Sequence, residues 1–199
     1  MQFSTIVLAA LSLGSAIASP VGGFAPFNSA ASKVANVKLI VGQEANRINS
    51  WASGVPNANT IASVKKSLVT IRSNMNQLVE TVSPLESAAK DSLSKEQIAS
   101  VKQFQNDIKD IFVNLESVGN SVTNSNFDKT ALSQFNPDLQ SALTSAPLVS
   151  ANVLAFINLA APSYATYSYW YPSLIQIDAL ISIIINLNLK IYIGLGIYL

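Results

Sequence analysis

Residues 61–85 read IASVKKSLVTIRSNMNQLVETVSPL, and the spacing of their apolar side chains decides the fold class. Those side chains recur alternately three and four positions apart, which is a heptad seam held for more than three repeats. A helix with one narrow apolar stripe gains most of its stability by packing that stripe against other helices. Pro84 is predicted to end or kink this helix near residues 81–83. The seam consists of Ile61, Val64, Leu68, Ile71, Met75, Leu78, Val82 and Leu85.

A second stretch repeats the same alternation and starts with a recognisable cap. Ser94 offers a hydroxyl at the N-cap position, and Gln97 offers an amide three residues later, which is the signature of a capping box. Asn124–Ser125–Asn126 breaks the pattern at the other end. We therefore predict a helix whose apolar stripe is Val101, Phe104, Ile108, Ile111, Leu115, Val118 and Val122.

Three weaker patterns flank these two helices. An apolar stripe runs from Val34 to Trp51, although Glu44 falls close to it. Residues 132–143 carry a shorter helical pattern that Pro137 interrupts, so a kink or two short pieces are expected there. Residues 148–160 are apolar nearly all round, which implies full burial or contact with something other than water.

The patterns together predict an all-α fold, an up-down bundle of four to five amphipathic helices with an atypical apolar C-terminal tail. Short connections should make consecutive helices antiparallel neighbours. The bundle domain is expected to span residues 29–160, preceded by a lead-in at 19–28 and followed by the tail at 161–199.

Residues 1–18 are predicted to be a secretory signal peptide. A short apolar run, residues 6–14, is followed by the small residues Ala16–Ile17–Ala18, which fit an A-x-A cleavage site. We therefore expect a secreted, extracellular protein, with Ser19 as its first residue after cleavage.

The tail differs from the rest in composition. From Leu139 to Leu199 only Asp178 and Lys190 are charged, and every odd position from 181 to 199 is Ile or Leu. This period of two predicts a strand and not a helix. Four interpretations stay open: a transmembrane helix, a glycolipid-anchor signal, a β-hairpin packed on the bundle, or a mistaken exon boundary.

The composition excludes several kinds of chemistry. The chain has no Cys and no His, which removes thiolate nucleophiles, the usual general base and the commonest metal ligands. A formal net charge of +1 provides no field that would attract nucleic acid. We expect no enzyme activity, no cofactor and no metal. The candidate charge clusters are expected to be solvated helix faces: the pairs Glu80/Glu86 and Asp107/Asp110, and the cations Lys65, Lys66 and Arg72.

The N-terminal signal ending Ala16–Ile17–Ala18–Ser19–Pro20, the Ser- and Ala-rich helices and their order form a pattern over roughly residues 20–160. In this pattern the chain resembles the fungal hydrophobic surface-binding protein A family, which includes cell-wall mannoproteins. The resemblance implies a secreted or wall-associated helical protein that adsorbs to hydrophobic surfaces or captures lipids such as fatty acids or sterols. It also implies recruitment of secreted hydrolases to insoluble substrates. The tail from Ser163 onward departs from the family.

Two functions follow as hypotheses. The first is a non-catalytic protein that binds hydrophobic surfaces or lipids, with membrane contact through the tail. The alternative is a structural cell-wall or membrane-anchored protein whose bundle core is dry. An enzyme that uses carboxylates alone has the least support. If the bundle holds a ligand inside, periodicity predicts that the lining is Leu68, Ile71, Met75, Leu78, Phe104, Ile108, Ile111 and Leu115.

Overall fold

The computed structural model describes residues 25–88, 93–165 and 169–194. The predicted signal peptide, residues 1–18, and the first part of the lead-in lie outside the described residues. Five α-helices and one short 3-10 helix, Pro162–Tyr164, make up the described chain, and no strand occurs in these ranges. The predicted all-α class is confirmed. The helices are α1 Ala25–Ala52, α2 Ala58–Ala88, α3 Lys95–Thr123, α4 Lys129–Ala160 and α5 Tyr171–Gly194.

Polar contacts between helices reveal their relative directions. Asn28 pairs with Gln97 and Lys38 pairs with Asp107, so partners on α1 and α3 differ by 69 in number at both levels. A constant difference means that α1 and α3 run parallel. Between the α4 and α5 regions the partner numbers change in opposite directions. Ser150 pairs with Trp170, whereas Asn136, which is earlier in α4, pairs with Asn188, which is later in α5. α5 therefore runs antiparallel to α4.

The helices form a closed ring around the core. α1 packs against α2 and α3, α4 packs against α2, and α5 packs against both α3 and α4. The prediction that consecutive helices are neighbours holds for α1 with α2 and for α4 with α5, but α2 packs most extensively on α4, and α3 on α1. The reason is that each seam must face the shared core, and α5 occupies much of the space between α3 and α4.

The first helix begins earlier than the predicted boundary at residue 29. α1 starts at Ala25, with Pro26 near its N-terminus, where proline costs no helical hydrogen bond. Phe27 is fully buried, and its ring lies 5.4 Å from the ring of Phe104 and 5.6 Å from that of Phe156. Burial of this aromatic side chain extends α1 into the predicted lead-in.

The prolines do not end the helices, so the predictions of a helix end near residues 81–83 and of two short pieces around Pro137 are wrong. α2 continues through Pro84 to Ala88, and α4 is one helix that contains both Pro137 and Pro147. Each interior proline removes one backbone donor, at a cost of about 3 kcal/mol. Buried side chains on both sides of Pro147, such as Leu143 and Val149, offset this cost by packing against the same core.

The strand prediction for the tail is wrong over the described residues. Residues 171–194 form α5, which packs on the bundle and extends it beyond the predicted boundary at residue 160. So many residues of this segment are apolar that it fits both the period of two of a strand and the period of 3.6 of a helix. Ile177, Leu180 and Ile184 are buried at spacings of three and four, alongside the odd-numbered alternation. A helix satisfies its own backbone hydrogen bonds, whereas a lone strand would leave two exposed edges.

Candidate functional site

The structure places the eight predicted lining residues together, in the core where the seams of α2 and α3 meet the other helices. Phe104 is 2% exposed and the other seven are 0% exposed. These side chains belong to one continuous apolar cluster that draws members from all five helices. The geometry is that of a packed core in which the side chains fill the space that a ligand would need.

The outward face of α5 carries several large apolar side chains. Tyr171, Ile175, Ile183 and Ile185 are each between 42% and 56% exposed. Exposed polar side chains lie among them: Gln176, Asp178, Ser182 and Asn186. Four large apolar side chains exposed on one helix indicate a candidate contact site for an apolar surface.

The inward face of α5 is held to the bundle by polar contacts as well as by packing. The indole N–H of Trp170 donates to Ser150 Oγ at 2.7 Å, and Asn136 Nδ2 donates to Asn188 Oδ1 at 2.7 Å. Trp170 is 2% exposed, and its ring meets that of Phe112 edge-on with centroids 6.3 Å apart. These contacts fix which side of α5 faces outward.

Two helices in the described ranges are long and apolar enough, by length and composition, to cross a membrane. They are Lys129–Ala160, with mean hydropathy 1.5, and Tyr171–Asn188, with mean hydropathy 1.2. Half of the α4 window is buried inside the protein, which is the pattern of a core helix. In the α5 window only 22% of the residues are buried by the parts of the chain that the structure describes.

A second surface feature is a groove of about 280 Å³ between α1 and α2. None of the eight seam residues lines it. The lining residues of each helix are mostly three or four positions apart, so they lie on one face of that helix, as expected for a helical period of 3.6. The lining residues are Glu44, Arg47 and Trp51 from α1 and Ser63, Lys66, Ser67 and Thr70 from α2.

Glu44 is the buried polar centre of this groove. Its Oε1 accepts a hydrogen bond from Arg47 Nη1 at 2.6 Å, and its Oε2 accepts one from Ser67 Oγ at 2.5 Å. The residue is 9% exposed. Periodicity alone treated Glu44 as an irregularity in the first helix. The signal that could have identified it was a carboxylate on an otherwise apolar stripe, because a buried charge needs partners.

The fold places the other charged candidates in different surroundings. Glu80 and Glu86 are exposed, as predicted, but Asp107 is buried and accepts from Lys38. Arg72, which was grouped with Lys65 and Lys66 in the sequence, instead pairs with Asp138 on α4, to which it donates a hydrogen bond at 2.5 Å. In the part of the chain that the structure describes, no three acidic side chains lie close enough to hold a metal ion.

Comparison with models of known families, with characterised proteins and with solved structures finds no match to this chain. The resemblance to the hydrophobic surface-binding protein A family stays a prediction from the sequence.

Proposed function

We propose that this protein is a non-catalytic protein that acts outside the cell or in its wall by binding hydrophobic surfaces or lipids, and that it does so through the outward face of α5. One observation carries the proposal. The window Tyr171–Asn188 has the hydropathy of a membrane span, yet only 22% of it is buried in the protein. An apolar helix left uncovered in water raises the free energy of the folded chain, and contact with an apolar phase lowers it.

The packed interior supports a surface site over an internal one. An acyl chain between Leu78 and Phe104 would have to part side chains that are 0–2% exposed. The core side chains would give up their existing van der Waals contacts, and the helices would have to move apart to make room for the chain. Contact at the outward face of α5 leaves the core packing intact and requires that exposed polar side chains such as Asp178 keep their contact with water.

The dimensions and chemistry of α5 favour a lipid layer as the surface. Its 24 residues form a helix about 36 Å long at the helical rise of 1.5 Å, which gives a long line of contact when the helix lies along the surface of a lipid layer. Tyr169 and Tyr171 stand at one end of the helix, and tyrosine is enriched where hydrocarbon meets water. Burying each half-exposed isoleucine of the face would stabilise adsorption by about 1 kcal/mol.

Vesicle binding tests the proposal directly. The full-length protein should co-sediment with phosphatidylcholine vesicles and adsorb to an alkyl-coated surface. Charging the outward face with Ile175→Asp and Ile183→Asp should reduce the partition coefficient by at least about tenfold. Both side chains are roughly half exposed, so the fold should survive, which circular dichroism would verify.

A matched control places the same charges elsewhere. Leu39 on α1 is 57% exposed and Val113 on α3 is 45% exposed. The variant with Leu39→Asp and Val113→Asp should bind vesicles like the unmodified protein. Equal loss in both double variants, or equal retention in both, would contradict a role for α5.

The dry core also favours a second candidate, a structural wall or membrane-anchored protein. The observation behind it is the complete burial of the seam, which leaves the bundle as a rigid spacer. Alkaline carbonate washing of host membranes separates the two candidates. A protein adsorbed through the face of α5 should be released, whereas one anchored by a spanning segment should stay with the membrane.

A further inference from the structure

The groove between α1 and α2 has a chemistry unlike that of the α5 face, and we propose that it binds a sugar carrying a phosphate or carboxylate group. α5 packs against α3 and α4, whereas this groove is formed by α1 and α2. The site therefore uses other residues and another surface than the proposed hydrophobic contact. Its success or failure in a test is independent of that function.

The charges around the groove favour an anion. Glu44 has both carboxylate oxygens engaged, by Arg47 and by Ser67, so it acts as an internal anchor. Arg47 and Lys66 contribute two positive charges to the lining against this single negative one. A guanidinium held by a carboxylate at one nitrogen still has further N–H donors in its planar fork. Arg47 and Lys66 can thus contact one phosphate or carboxylate together.

The remaining lining favours a sugar ring as the carrier of that anion. Trp51 supplies the one large apolar surface among the lining residues, and Ser63 and Thr70 supply hydroxyl groups. No aliphatic side chain lines the groove. A pyranose ring has one apolar C–H face and a rim of hydroxyls, which matches one indole beside hydroxyl groups. An aryl or acyl anion would make no use of these hydroxyl groups, whereas the hydroxyl rim of a sugar can hydrogen-bond to them.

The size of the groove agrees with a single sugar unit. Its volume of about 280 Å³ lies just below the range for drug-sized ligands, about 300–1,000 Å³. The arrangement is also partly preorganised. Glu44 fixes Arg47 from one side, and the Thr70 hydroxyl donates to the Lys66 carbonyl at 3.1 Å. Groups held before binding lose less conformational entropy when the ligand arrives.

Nuclear magnetic resonance offers a test with an internal reference, because the chain has two tryptophans. Trp51 lines the groove, whereas Trp170 is buried under α5. Titration of the full-length protein with glucose 6-phosphate or glucuronic acid should shift the Trp51 indole N–H saturably and leave that of Trp170 in place. Glucose alone and inorganic phosphate alone should each bind at least about tenfold more weakly.

Adjacent lysines provide the matched variants. Lys66→Ala should weaken binding of glucose 6-phosphate by about tenfold, while Lys65→Ala, which removes an exposed charge outside the lining, should have little effect. Both side chains are exposed, so both variants should fold. Equal weakening by the two variants would indicate general attraction of anions and overturn the proposal. Absence of saturation, or phosphate binding as tightly as the sugar phosphate, would overturn it as well.

Discussion

A Cβ atom placed on Gly119 of α3 would lie 2.6 Å from Cδ1 of Leu180 on α5. Real Cβ atoms essentially never approach another atom this closely, so glycine at this position lets α5 settle into the bundle. Leu180 is 4% exposed and has little free space into which it could turn. The contact between these two residues therefore controls how closely α5 docks.

Gly119→Val should loosen α5 from the bundle. Overpacking a tight contact costs about 1–3 kcal/mol, and the better helix propensity of valine relative to glycine offsets only a few tenths of this cost. The expected readouts are a lower free energy of unfolding in urea and a red-shifted Trp170 emission, because its indole leaves the buried site beside Ser150.

Two further variants give this prediction its controls. Leu180→Ala in the Gly119→Val background should recover part of the lost stability, since it removes the atoms that clash. Gly42→Ala on α1 should stabilise the protein by about 0.5–1 kcal/mol, because its Cβ would meet Asn114 at an ordinary 3.5 Å. Destabilisation by Gly42→Ala equal to that by Gly119→Val would show that the α3–α5 contact is not special.

Leu78→Ala should destabilise the protein by about 2–5 kcal/mol, because it leaves a cavity in a core where this side chain is fully buried. Val69→Ala on the same helix, at a site that is 38% exposed, should cost about 0.5 kcal/mol. Urea denaturation of both variants measures the difference. A loss below 1 kcal/mol for Leu78→Ala would indicate an interior loose enough to admit a ligand, which would favour lipid capture inside the bundle.

Lys38→Ala should cost about 1.5–3 kcal/mol, because it removes a charged hydrogen bond from a buried carboxylate. Lys38 Nζ lies 2.5 Å from Asp107 Oδ1, and the side chain of Asp107 is only 7% exposed. Gln103 Nε2 also donates to that oxygen at 2.9 Å and should limit the loss. Lys33→Ala, at an exposed lysine on the same helix, is the control and should change stability by about 0.5 kcal/mol at most.

Ser94→Ala should shorten or fray the start of α3 at a cost of about 1 kcal/mol. The Ser94 hydroxyl accepts from the backbone N–H of Gln97, and the Gln97 side chain accepts from the backbone N–H of Ser94. Ser100→Ala, which removes an exposed hydroxyl within the helix, should have a much smaller effect.

The same variant should change how Glu96 titrates. A hydrogen bond from its own backbone N–H and one from the Ser94 hydroxyl lower the pKa of Glu96 in the folded protein. A lowered pKa means a contribution to stability that is present above the unfolded-state pKa and lost as the pH falls through the folded-state value. Ser94→Ala should raise the pKa of Glu96 towards its ordinary value, which carboxyl chemical shifts can follow. An unchanged pKa would contradict the hydroxyl contact.

The candidate surfaces were predictable only in part. The sequence marks the tail as apolar, but which of its side chains face outward depends on how Trp170 and Asn188 attach α5 to α4. The groove between α1 and α2 was not predicted, because its two cations, Arg47 and Lys66, lie on different helices. Glu44 stood out in the sequence only as a charge near an apolar stripe.

The two long seams, the cap at Ser94 and the absence of histidine and cysteine chemistry could be read from the residues alone, because each is a property of composition or of spacing along one chain. Packing in three dimensions was needed to establish that α4 continues through Pro137 and Pro147 as one helix and that residues 171–194 are helical. The physical reason is that an apolar run can serve as helix or strand, and a proline can be tolerated or not, according to the packing offered by neighbours distant in sequence. For α5 those neighbours are α3 and α4, which cover the inward face that carries Ile177, Leu180 and Ile184.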